Sequence, residues 1–174
     1  MIKLPIIGSL VILQSLLAWQ IRAQTIASRV IEDGGTGQYS TIMLSDGSLP
    51  THTIFRPKDL SAFGKKNKLP IIAWGNGACA NSPWEHVNFL SEVASHGFLV
   101  IAIGPMPKEG EKTRDRSTSS QLSDAIDWAV AQNSDKDSPY FQKIDVEKIA
   151  VSGMSCGGLQ TLEIAPDPRV TTAV

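Results

Sequence analysis

Residues 146–158 read VEKIAVSGMSCGG, and their reading decides the fold. Ile149, Ala150 and Val151 form a short β-prone apolar run, followed by Gly153-Met154-Ser155-Cys156-Gly157 and a second glycine, Gly158. The pattern is that of a nucleophile elbow, where a buried strand turns sharply into a helix with a serine at the tip. The tip residue is held in a strained backbone conformation, and a Cβ two residues to either side would strike the neighbouring strand or helix. Gly153 and Gly157 remove those collisions. The turn leaves the Ser155 hydroxyl in the open and aims the first amides of the following helix at any oxyanion formed there.

Working outward, the segments before the elbow alternate between strand and helix. Leu69-Pro-Ile-Ile-Ala-Trp74 is a continuous apolar run, as expected of a strand buried on both faces, and it ends in Gly75-Asn76-Gly77-Ala78-Cys79. Ser82, Pro83 and Glu85 read as a helix start with a capping box, and Val87, Leu90, Val93 and Ala94 recur at helical spacing up to Gly97. Residues 98–103, FLVIAI, read as a second buried strand. Gly104 to Ser117 is a long loop of mixed charge, read as solvated surface or as a rim over the site. A helix then begins at Thr118 with Gln121 three positions on, and carries Leu122, Ala125, Ile126, Ala129 and Val130 on one stripe. Residues 135–145 read as a polar connection. Upstream, Tyr39–Leu44 and Thr51–Phe55 read as an antiparallel hairpin at a sheet edge, joined by Ser45-Asp46-Gly47-Ser48. The basic segment from Pro57 to Lys68 reads as a solvated loop, and Val170 to Val174 begins another β-prone run.

This order predicts an α/β fold with a mostly parallel sheet and an N-terminal antiparallel hairpin. In open sheets of that kind ligands bind beyond the carboxyl ends of the strands, where Gly75–Cys79, Gly104–Ser117 and the elbow all fall.

The chain's 174 residues bound it to one domain, and a net charge of −1 without a basic stripe argues against a nucleic-acid partner. Residues 1–23 read as a secretory signal peptide: Lys3 gives a positive start, Leu4 to Leu17 is mostly apolar, and Ala23 or Ala27 offers the cleavage point. Residues 24–37 read as a flexible lead-in and residues 38–174 as the domain. Cleavage would leave a secreted, extracellular protein with no stable membrane insertion. Two cysteines, Cys79 and Cys156, remain.

The motifs LPIIAWGNGAC, SHGFLVIAIGP, DAIDWAV, KIAVSGMSCGG and DPRV resemble the α/β-hydrolase superfamily, within it the dienelactone-hydrolase, chlorophyllase and cutinase-like polyester-hydrolase group. The resemblance implies an α/β-hydrolase fold, a triad in the order serine, acid, histidine, and no metal or organic cofactor. It implies Ser155 as nucleophile and the backbone N–H groups of Cys156 and Asn76 as the oxyanion hole, with Gly77 as the alternative to Asn76. The two bends must then be neighbours, and a Cys79–Cys156 disulfide is expected beside them. A catalytic thiol at Cys156 is not expected, because the family places its nucleophile at the elbow tip.

One departure is large. No histidine follows Ser155, and the acids after it, Glu163 and Asp167, read as structural or solvated. His52, His86 and His96 read as surface or packing histidines, with His86 nearest in principle. In the family, acid and histidine follow the two strands after the one beginning at Val170. The chain is therefore read as a C-terminally truncated fragment, with both residues beyond its end. The implied function is hydrolysis of small or polymeric carboxylic esters. The rival readings are a non-catalytic binding protein on this fold, or a peptidase or acyltransferase using the same elbow.

Overall fold

The computed structural model describes residues 28–30 (backbone only), 34–106 and 115–174. The signal-peptide reading, residues 24–27 and 31–33 of the lead-in, and positions 107–114 of the charged loop lie outside the described residues.

The described elements are β1 (Ser28–Val30), β2 (Thr41–Asp46), β3 (Leu49–Pro57), β4 (Leu69–Gly75), α1 (Val87–Ser95), β5 (Leu99–Ile103), α2 (Ser120–Ser134), β6 (Ile144–Gly153), α3 (Cys156–Ile164) and β7 (Thr172–Ala173). They build one sheet in the order β1-β2-β3-β5-β4-β6-β7. Strands β5, β4, β6 and β7 are mutually parallel, while β1, β2 and β3 pair antiparallel and β3 joins β5 antiparallel. The expected α/β architecture with an N-terminal hairpin is therefore present.

Alternation along each strand sorts the side chains between two layers. On β5, Leu99, Ile101 and Ile103 join α2 residues Leu122, Ala125, Ile126 and Ala129 in one core. Val100 and Ala102 point the other way, onto Val87, Leu90 and Ala94 of α1. All five β5 side chains are fully buried, which is why this strand reads as an unbroken apolar run. Each large one removed from water contributes roughly 1.5–3 kcal/mol before entropy is counted.

Several boundaries differ from the sequence reading. The hairpin turns tightly at Gly47-Ser48, where Asp46 Oδ1 accepts from the Ser48 N–H at 2.8 Å, and β1 lies outside it. Within the lead-in, Thr36 and Gly37 donate backbone N–H bonds to Glu92 Oε2 (2.7 Å) and Ser95 Oγ (2.9 Å) of α1. The Ser82–Glu85 capping box is not formed. A 3-10 turn at Trp84–His86 precedes α1, which has no side-chain cap, and Ser82 Oγ accepts only from Trp84 N–H at 3.3 Å. Half of the second box is made: Gln121 Oε1 accepts from Thr118 N–H at 2.9 Å, while α2 itself starts at Ser120. Strand β6 begins at Ile144, inside the expected connection, and its register jumps from Asp145 to Ile149 opposite Pro70 and Ile71.

The topology places the site. From β4 the chain crosses through α1 to β5 on one side; from β6 it crosses through α3 to β7 on the other. Adjacent strands whose connections leave in opposite directions open a crevice at their carboxyl ends. Here that switch in direction falls between Gly75 and Gly153, which are register partners.

Candidate active site

Ser155 sits at the head of α3 with φ 53° and ψ −113°, the strained elbow conformation, and its side chain is exposed. The glycines around it are required by contact. A Cβ on Gly153 would lie 2.5 Å from the Gly157 carbonyl, and one on Gly157 would run into the Gly75 carbonyl oxygen and stand 2.8 Å from Asn76 N. The bend after β4 and the elbow after β6 thus touch backbone to backbone. Met154 N–H donates to Gly75 O at 3.1 Å and fastens the contact.

Two backbone amides flank this junction. Cys156 is the first residue of α3, where a backbone N–H has no carbonyl of its own helix to bond. Asn76 precedes the 3-10 turn Gly77–Cys79. That turn is unusual: Ala78 (φ 54°) and Cys79 (φ 51°) both lie in the left-handed region, at roughly 1–2 kcal/mol each for a residue with a Cβ. The Asn76 side chain is buried and clamps the bend, its Nδ2 donating to Ala80 O (2.9 Å) and to Ile103 O at the end of β5 (2.7 Å). The returning arm of the charged loop adds a strut. Ser117 N–H donates to Cys79 O at 2.8 Å, and Gln160 Nε2 of α3 donates to Ser117 O at 3.1 Å. A disulfide joins Cys79 to Cys156, their Cα atoms 5.2 Å apart.

The three histidines lie in different surroundings. His96, at the end of α1 and so at the opposite end of the parallel strands from Gly75, pairs with Glu92 Oε1 at 2.9 Å; this bond and two from Thr36 hold the Glu92 pKa down at about 2. His52 is buried under the start of α2. Its Nε2 donates to Gln121 O (2.8 Å) and its Nδ1 accepts from Thr51 Oγ1 (3.0 Å), a neutral tautomer, and burial pushes its pKa below 6.5. His86 stands beside the first bend. It packs edge-on to Trp74 at 5.3 Å, its Nε2 is 4.0 Å from where a Gly77 Cβ would be, and burial lowers its pKa.

The two late acids are turned to other work. Asp167 holds Arg169 at 2.7 Å, with its pKa lowered to about 2 by those hydrogen bonds, and Arg169 also bonds Asp127. Glu163 is exposed on α3. None of the described histidines or acids hydrogen-bonds the Ser155 hydroxyl. Around the junction, Trp84 and Met106 pack against the core at Trp74, while Met154 is 45% exposed with its methyl group against Gly77. The Asn76 clamp, the Gln160–Ser117 strut and the placing of His86 were not read from sequence. A polar residue directly after a fully apolar strand was the available signal for the first.

The sequence model of a family described as PET hydrolase-like matches residues 40–174, most of the chain. The chain belongs to the PET hydrolase-like family. This PET hydrolase-like chain is similar to cutinases of three organisms, in each case 33% identical over 116 residues and 65% of its own length. They are Cutinase est1 of Thermobifida alba, Cutinase 2 of Thermobifida cellulosilytica and the cutinase of Thermobifida fusca strain YX. The match covers 34%, 38% and 31% of those proteins, so the chain spans about a third of the length of the relatives it matches. The mixed, mostly parallel sheet with helices on both faces is the α/β-hydrolase fold of this family. Among the described residues, no group of three or more His, Cys, Asp or Glu side chains is placed to hold a metal ion. No described helix is long and apolar enough to cross a membrane.

Proposed function

We propose that the complete protein is a secreted serine hydrolase that cleaves carboxylic esters through an acyl-enzyme at Ser155. The observation that carries this reading is the meeting of two bends: an exposed serine at φ 53° beside the opening amide of α3, with Asn76 against Gly157 across the crevice. A single strained serine is a turn. A strained serine facing amides from a second loop is a device for holding a tetrahedral oxyanion.

In the proposed reaction Ser155 Oγ attacks the ester carbonyl as its proton passes to a histidine, the carbonyl oxygen takes up negative charge, and the backbone amides of Cys156 and Asn76, or Gly77 in its place, receive it. Collapse expels the alcohol with the proton from that histidine, and water then repeats the sequence on the acyl-enzyme. The histidine and its acid partner are assigned to sequence following Val174. His52 is buried in a packing role, His96 lies at the opposite end of the strands, His86 packs on Trp74, and Asp167 is occupied by Arg169, which supports that assignment. A polymeric ester is the favoured substrate class, in keeping with a family named for PET hydrolysis and relatives named cutinases.

The test uses the full-length protein. Hydrolysis of short p-nitrophenyl esters and of a polyester film, set against amide and alcohol-acceptor substrates, separates esterase from peptidase and acyltransferase. Ser155→Ala should lower kcat/KM by about 10⁴-fold or more. Retention of turnover in that variant would overturn the reading, and absence of turnover in the parent would leave a binding protein on a hydrolase fold.

A further inference from the structure

The geometry points to the Cys79–Cys156 disulfide as the positioning device of the oxyanion hole, so that thiol–disulfide exchange switches turnover at Ser155. The inference rests on the hydrolase reading above and deepens it to the regulation of the same site.

Its ground is where the two sulfurs are anchored. Cys156 follows the nucleophile directly and opens α3, and Cys79 ends the 3-10 turn that Asn76 introduces. Each candidate oxyanion amide therefore lies within three residues of a bridged Cα, and one belongs to a bridged cysteine itself. The link spans 77 residues of sequence and bridges two separate bends, whose relative position sets the distance between the two donors.

The two bends differ in what else holds them. The elbow is fixed by backbone contact, since the packing at Gly153 and Gly157 leaves no room for a Cβ. In the upstream turn Ala78 and Cys79 both occupy the left-handed region without being glycine, a conformation each would leave unless held. The Asn76 clamp spans this turn to Ala80 O, Ala80 N–H closes it on Gly77 O, and Cys79 itself is held by the Ser117 N–H bond and the disulfide. Cutting the disulfide leaves Cys79 on its bond from Ser117, lets it relax toward ordinary φ values, and shifts the Asn76–Gly77 amides against Cys156. A displaced donor weakens the hold on the transition state far more than the hold on the ester, so the expected loss falls on kcat.

The chemistry balances with a dithiol as reductant. One thiolate attacks a sulfur of the Cys79–Cys156 bond, which breaks and leaves a mixed disulfide and one protein thiolate. The second thiol of the reductant closes its own disulfide, and the two electrons end as thiols on Cys79 and Cys156. Cys156 is half-buried and Cys79 buried, so attack enters from the Cys156 side.

The experiment compares three forms of the full-length enzyme: oxidised, reduced with dithiothreitol without denaturant, and Cys79→Ser/Cys156→Ser. Each is followed by kcat and KM on a p-nitrophenyl ester, by fluorophosphonate labelling of Ser155, and by circular dichroism. With two thiols titrated and the fold retained, kcat should fall by about tenfold or more while KM moves by less than about threefold. Reoxidation should restore kcat in the parent chain and leave the double variant low. An unchanged kcat with both thiols free overturns the proposal, as does loss of the folded signal on reduction, which would make the bond a structural staple only. Failure of the oxidised parent to label at Ser155 or turn over any ester removes the hydrolase reading, and this inference with it.

Discussion

The bend after β4 and the bend after β6 meet at one point yet are held by different forces. The elbow is a steric object. Gly153, Gly157 and Gly75 bring backbone atoms against one another, and the strained φ of Ser155 follows from that packing. The upstream bend is a cross-linked object. It accepts two left-handed residues that are not glycine and holds them through the Asn76 carboxamide, the Ser117 N–H and a disulfide. A sterically fixed bend is indifferent to its redox or solvent surroundings, whereas one held by side-chain bonds depends on each of them. The difference teaches that half of the proposed oxyanion hole is rigid by construction and half is held in place by removable contacts.

The largest expected effect comes from breaking the steric bend. Gly157→Ala places a methyl group against the Gly75 carbonyl, where backbone on both sides cannot yield, and should cost about 4 kcal/mol or more. Denaturant unfolding of the full-length protein measures it, and a loss under about 1 kcal/mol would show that the two bends are loosely joined. Next comes the clamp. Asn76→Ala strands the Ala80 and Ile103 carbonyls in a buried setting and should cost roughly 2–4 kcal/mol in the same assay, with the elbow left whole. Ala78→Gly tests the strain directly. Glycine accepts φ 54° freely, so this change should be neutral to stabilising by about 1 kcal/mol, where the same substitution at an ordinary surface position destabilises.

The smallest effect is electrostatic and tests whether His52, packed under the start of α2, stays neutral. The folded-state pKa of His52 lies below 6.5 because burial disfavours the cation, with the Gln121 carbonyl and Asp124 opposing. The unfolded chain therefore binds more protons between the folded pKa and 6.5. Stability is full above pH 6.5 and declines as pH falls through it. His86 acts in the same direction. His52→Gln should flatten the fall in unfolding free energy below pH 6.5, and an unaltered slope would assign it to other groups.

The steric bend was legible in sequence and the cross-linked one only in outline. Gly-x-Ser-x-Gly after a β-branched run can satisfy few geometries, so Ser155, its glycines and the strand and helix around it were readable from the residues alone. The disulfide followed once both bends were assigned to one pole, because Cys79 and Cys156 are the two cysteines of the chain and flank that junction. The reach of Asn76 to Ile103, twenty-seven positions away, was not readable, since it depends on which strand β4 has for a neighbour. The helix start at Ser82–Glu85 misled for a local reason. Pro83 fits the first turn of any helix, and here that turn is the 3-10 segment before α1. His86 packs as a packing histidine would, but its place over Gly77 and Trp74 depends on how this 3-10 segment folds back, which the sequence does not reveal.

The most direct test of the central claim is covalent labelling of the full-length protein with a fluorophosphonate, followed by peptide mapping. The account predicts one adduct, on the peptide containing Gly153-Met154-Ser155-Cys156-Gly157, with fragment ions placing it on Ser155 and none in the Ser155→Ala variant. An unlabelled chain, or an adduct at any other residue, would contradict it.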